Sequence, residues 1–151
     1  MVRKIIIIII SALLLFSCDY KPIYSDNSNI DFSIEKINFK GDSEVNNLIN
    51  RKLKKYKKIN SVRKFNVDVN SVYKKIAQSK DQTGKTTDYK IIIEVTFEIN
   101  DNKKITTLVS QEDFLIKNLT NEFEENKYEK IKIQNSVDII INTFTIQLSK
   151  I

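Results

Sequence analysis

From Tyr89 to Asn100 the chain alternates without a break. Tyr89, Ile91, Ile93, Val95, Phe97 and Ile99 share one parity, and Lys90, Ile92, Glu94, Thr96, Glu98 and Asn100 share the other. Successive side chains of a strand point to opposite faces, so this stretch reads as a long strand with one apolar face and one largely polar face. An apolar sheet face needs a covering layer, and the question becomes which segments supply it.

Two flanking segments alternate in the same way. Phe65, Val67, Val69 and Tyr73 mark one face of a strand from Lys64 to about Gln78. A third strand runs from Lys104 to Lys117, but Ile105 and Val109 fall on one parity and Phe114 and Ile116 on the other, which predicts a bulge near Gln111–Asp113. Turn-forming residues lie at Asp81–Thr87, with Gly84, and at Asn100–Asn102, so the three strands form a meander. Before them, Phe32–Phe39 reads as a strand with a shift near Glu35 and an end at Gly41. Asp42 then caps a helix to about Lys58, whose apolar stripe is Val45, Leu48, Ile49, Leu53 and Tyr56. After the meander, Asn121 and Glu124 are spaced as a capping box. Ile133, Val137, Ile140, Ile141, Phe144, Leu148 and Ile151 continue at helical spacing.

The order β-α-β-β-β-α implies a parallel first pair followed by an antiparallel meander. The expected fold is therefore α+β: a two-layer sandwich of a mixed four-stranded sheet with two helices on one face.

Composition narrows the chemistry. Among 151 residues there is no His and one Cys, which removes the commonest metal-ligand sets, His-based acid–base catalysis and any intramolecular disulfide. The expectation is a protein that is not an enzyme and carries neither metal nor other cofactor. Ile, Lys and Asn make up 26, 22 and 16 residues. All three have A/T-rich codons, so the lysine count alone is weak evidence for an anionic ligand.

The single cysteine follows an export signal. Arg3 and Lys4 precede the apolar run Ile5–Phe16, which is shorter than the roughly 20 residues a spanning helix needs. Leu15-Phe16-Ser17-Cys18 then resembles a bacterial lipobox. On that reading residues 1–17 are a signal peptide removed at export, Cys18 is the lipid attachment site, 18–30 form a lipidated tether and 31–151 a single α/β sandwich domain. Lipidation gives the one thiol a purpose in an oxidising compartment, and two or three acyl chains suffice for stable anchoring. An ordinary signal peptide with a chance cysteine, or an uncleaved anchor, is the alternative. Removing the signal lowers the formal charge of +6 by two.

Other motifs carry less. Thr83-Gly84-Lys85-Thr86 looks like the end of a phosphate-binding loop, but Ser79 stands where that motif needs glycine and a strand pattern follows. Glu94, Glu98, Asp101, Glu112 and Asp113 read as solvated acids on strands and turns. The cations Arg51, Lys52, Lys54, Lys55, Lys57 and Lys58 read as a solvated helix face. Near the first hairpin, Lys74, Lys75, Lys80, Lys85 and Lys90 flank Tyr73 and Tyr89 and are candidates for phosphate contact. Ile139 and Ile146 lie off the main helix stripe, where they mark either a partner surface or incidental surface isoleucine. Export argues against a nucleic-acid partner.

Cys18-Asp19-Tyr20-Lys21-Pro22-Ile23-Tyr24 resembles the start of mature LptE, the lipopolysaccharide-assembly lipoprotein, as found in alphaproteobacteria. The likeness extends as a pattern over the mature chain. It implies an outer-membrane lipoprotein facing the periplasm that plugs an LptD-type β-barrel, assists that barrel's assembly and binds lipopolysaccharide in transit. Under this resemblance Lys74, Lys75, Lys85 and Lys90 become candidates for the lipid phosphates. Asp19, directly after the cysteine, departs from the usual outer-membrane sorting signal. It leaves open an auxiliary lipoprotein of an envelope lipid transporter, retained at the inner membrane.

Overall fold

A computed structural model describes residues 32–58 and 61–151. The segments read as signal peptide and tether, and Cys18 with them, lie outside the described residues. Four strands form one sheet in the order β1-β2-β3-β4: β1 is Phe32–Gly41, β2 Arg63–Lys80, β3 Thr86–Asn100 and β4 Ile105–Lys117. β1 and β2 are parallel, and the two later pairs are antiparallel. The helices are α1, Ser43–Leu53, and α2, Glu122–Leu148. The α+β order β-α-β-β-β-α and the mixed sheet are as the patterning implies.

The core lies between the helices and one sheet face. β3 supplies Ile91, Ile93, Val95, Phe97 and Ile99, all buried, and β2 supplies Phe65, Val67 and Val69. The register of β1 shifts between Ile34 and Lys36, so Ile37 pairs with Val67 and Phe39 with Val69. The extra residue, Glu35, lets both apolar pairs of β1 face the same layer. From above, Ile133, Val137, Ile140, Ile141, Phe144 and Leu148 of α2 are buried, and Phe144 stacks on Phe97 with centroids 4.1 Å apart.

The corner between β1 and α1 is held by close approach. Gly41 has φ 90°, and a Cβ there would lie 1.8 Å from the Ser71 carbonyl oxygen, so only glycine fits. Asp42 follows: its N–H donates to that carbonyl at 3.0 Å, and its carboxylate accepts from the Val45 N–H at 2.9 Å as the N-cap. Buried Asn46 donates to the Lys40 carbonyl at 2.9 Å, and its own side-chain oxygen lies 2.9 Å from Ser71 Oγ.

Three local expectations change. The first helix is α-helical only to Leu53; Lys54–Lys58 tighten into a 3-10 turn. That turn keeps Tyr56 buried on Phe32, with ring centroids 5.4 Å apart. β4 has no bulge at Gln111–Asp113: its register with β3 runs unshifted from Asp88↔Lys117 to Asn100↔Ile105. As an edge strand it keeps every ladder bond to β3 and leaves Ile105 and Val109 exposed on the uncovered face. The irregularity lies instead in β2, at Ala77–Lys80. Finally, Ile151 falls beyond α2 and is exposed, so the buried stripe ends at Leu148.

Candidate functional site

β2 outlasts β1. The last β1–β2 pair is Gly41↔Ser71, so from Val72 onward the sheet continues as three strands, with β2 as an edge. Here the layer between sheet and helix changes character. The helix-facing positions of β2 run Phe65, Val67, Val69, Ser71, and then Tyr73 and Lys75. On α2, Glu125 and Glu129 continue the stripe of Ile133 and Val137 backward in steps of four. The two polar runs meet.

Lys75 Nζ lies 3.1 Å from Glu125 Oε1 and 2.8 Å from Glu129 Oε2, and 4.6 Å from the centroid of the Tyr89 ring. The Tyr73 hydroxyl donates to Glu129 Oε1. The other Glu125 oxygen accepts the Leu119 N–H at 2.8 Å, which ties the β4–α2 loop to the same cluster. The side chains of Glu125 and Glu129 are only 12% and 15% exposed, against 28% for Lys75, so this is a partly desolvated clamp rather than a surface pair.

Its electrostatics are coupled. Burial raises the Tyr73 pKa, and the Glu129 bond and the charges of Glu129, Glu44 and Asp42 raise it further. Burial by itself would lower the Lys75 pKa, but the bonds to Glu129 and Glu125 outweigh it and raise it. Burial would raise Glu125, but the Leu119 N–H and Lys75 outweigh it and hold the carboxyl below its usual range.

The four candidate lysines do not form one patch. Lys75 faces the helix layer. Lys74 and Lys90 are near neighbours on the uncovered sheet face, since Lys74 pairs with Ile92 and Ile76 with Lys90. Lys90 is bound to Asp113 at 3.0 Å. Lys85 sits in the hairpin turn, where Asp81 takes up the local donors: the Thr83 and Lys85 N–H groups at 2.8 and 3.0 Å and the Thr83 hydroxyl at 2.6 Å. Those bonds depress the Asp81 pKa, the Thr83 hydroxyl most. Amides that a phosphate-binding loop would present are thus engaged within the turn, and β3 follows where that motif needs a helix. On α1, Lys52 bridges to Asp138 of α2 at 2.7 Å and Lys55 lies over the Tyr56 ring.

Beside the clamp, a groove of about 440 Å³ is lined by Asp88, Leu115, Ile116, Lys117, Leu119 and Tyr128. Asn118 closes the end of β4 onto the hairpin, its N–H donating to Thr87 O at 2.8 Å and its amide to Thr86 O at 2.7 Å. The arrangement offers a cation flanked by aromatic rings, next to an apolar groove. The cation is already paired with two carboxylates, and the cluster presents no nucleophile paired with a base. Ile139 and Ile146 are half exposed on the outer face of α2.

The sequence reading missed Glu125 and Glu129. Their signal is the four-residue spacing that continues the core stripe, which apolar residues alone do not reveal.

Comparison with solved structures finds the same fold in two lipoproteins. The crystal structure of rare lipoprotein B from Shewanella oneidensis matches at TM-score 0.54 and 11% identity, covering 76% of this chain and 97% of that one. The solution structure of an uncharacterised lipoprotein B from Nitrosomonas europaea matches at TM-score 0.56 and 10% identity, covering 80% of this chain and 86% of that one. The chain shares a fold with bacterial lipoproteins. No protein-family model matches it, and no curated protein sequence does.

Proposed function

We propose that this chain is an LptE-like outer-membrane lipoprotein. It anchors through Cys18, assists and plugs an LptD-type β-barrel, and binds lipopolysaccharide during transport without performing chemistry on it. One conjunction carries the reading: a lipobox-like Leu15–Cys18 and the start Cys18–Tyr24 stand ahead of a domain with the rare lipoprotein B fold. The candidate phosphate contacts are Lys74, Lys75, Lys85 and Lys90; the apolar groove is reached from Lys75 through Glu125 and Leu119 and from Lys90 through its strand partner Leu115. The partners are the barrel, lipopolysaccharide and the membrane, with no nucleic acid.

Copurification from envelopes tests it. The wild type is expected to bring down an outer-membrane barrel, and Cys18→Ala to lose membrane association. Failure of the wild type to associate with any such barrel would remove the proposal. Asp19 favours a second reading, an inner-membrane lipoprotein serving an envelope lipid transporter. Membrane fractionation separates the two: recovery with the inner membrane selects the second.

A further inference from the structure

We propose that Glu125 and Glu129 are an internal stand-in for the anionic ligand of Lys75. A phosphate-bearing amphiphile binding at Lys75 displaces them, and in doing so frees the first turns of α2, Glu122–Ile131, from the sheet. The choice of phosphate rests on the function proposed above; the strap itself rests on the geometry.

First, the clamp supplies the ion pairs that tie this part of α2 to the sheet. No residue from Glu122 to Ile131 is buried, whereas burial begins at Ile133 and continues to Leu148. Phe123, Tyr128 and Ile131 are exposed, so apolar packing contributes little before Ile133.

Second, Lys75 is already arranged as an anion site. Its ammonium sits over Tyr89 with two carboxylate oxygens at 2.8 and 3.1 Å, the distances at which phosphate oxygens would also accept. An ammonium has three donors and two are engaged, so a phosphate that takes more than one of them displaces a carboxylate.

Third, the displaced state is self-separating. Once Lys75 is taken by a ligand, Glu125 and Glu129, four residues apart on one helix face, lose the cation they share and repel each other. Glu125 also holds the Leu119 N–H, so its release loosens the loop that borders the groove of Leu115, Ile116 and Tyr128. Opening the strap therefore widens an apolar surface beside the cation that the ligand has just occupied, which suits an acyl-bearing phosphate better than a free one.

The test uses the full-length lipoprotein in detergent, as wild type, Glu125→Gln/Glu129→Gln and Lys75→Met. Glutamine keeps an acceptor for the Leu119 N–H while removing the charge. Hydrogen exchange is expected to quicken across 123–131 in the glutamine variant and to stay unchanged across 133–148. The same variant is expected to bind lipopolysaccharide about three- to tenfold more tightly than wild type, the scale of losing one or two competing ion pairs. Lys75→Met is expected to bind more weakly than wild type. If the wild type binds lipopolysaccharide and the glutamine variant gains nothing, the stand-in is overturned while the proposed function survives. If neither protein binds, both fail together. An equal gain for inorganic phosphate overturns the amphiphile part, and exchange that quickens along all of α2 overturns the strap.

Discussion

The two ends of the sandwich are built on different physics. At one end, four strands lie under α1 and the second half of α2, and the interlayer is Phe32, Phe65, Phe97, Phe144 and their aliphatic neighbours. At the other, three strands lie under the first turns of α2, and the same interlayer positions carry Tyr73, Lys75, Glu125 and Glu129. Apolar burial is non-directional and scales with area, so the first end resists any small change. A charge clamp depends on a few distances and on which groups are ionised, so the second end can be switched. One helix spans both regimes, and Ile133 marks the crossover.

The sharpest way to break this contrast is to attack the apolar end. Phe144→Ala removes the ring stacked on Phe97 and leaves a cavity in a fully buried site, with an expected loss of about 3–5 kcal/mol by denaturant unfolding. A loss below about 1 kcal/mol would mean that this end does not dominate stability.

Lys75→Met attacks the clamp and keeps the length of the stem. The expected global cost is about 1 kcal/mol, because the pair is only partly desolvated, with faster amide exchange confined to 123–131. A loss as large as that of Phe144→Ala would erase the distinction between the two ends.

The pH dependence should divide along the same line. Glu125 is held below its ordinary range, so its stabilisation is present above the unfolded value near 4.5 and disappears as pH falls through the lower folded value. Lys75 and Tyr73 are raised, so their stabilisation is present below their ordinary values of 10.5 and 10.0 and disappears as pH rises through the higher folded ones. Exchange in 123–131 should therefore be slowest at neutral pH and quicken in acid below about pH 4 and in alkali above about pH 10. Exchange in 133–148, corrected for its intrinsic pH dependence, should vary much less. The smallest effect belongs to the uncovered face: Val109→Thr should stay within about 0.5 kcal/mol, since that side chain faces solvent from an edge strand.

Periodicity made most of the fold legible. The alternation of β3, the stripe of α1 and the stripe from Ile133 to Leu148 each encode one face to be buried, and each is buried there. The expected bulge in β4 shows the limit: parity said that Ile105 and Val109 should share a face with Phe114 and Ile116, but only the ladder could decide whether the strand would bend to allow it. It does not bend, because an edge strand already bonded along its length has little to gain from disrupting that ladder.

The candidate site was half legible. Lys74, Lys75, Lys80, Lys85 and Lys90 stand out together beside Tyr73 and Tyr89, but these lysines look alike in one dimension. Which face each occupies follows from register.

By itself the sequence determined the element order, the buried faces of β3 and the helices, and the lipobox-like pattern at Cys18, because those depend on local spacing and short-range chemistry. Tertiary structure alone decided that Lys75 turns inward to meet Glu125 and Glu129, some fifty residues away, while Lys74 and Lys90 turn outward. The reason is geometric: a strand sends neighbours to opposite faces, and only the packed helix shows which face is covered and by which charges.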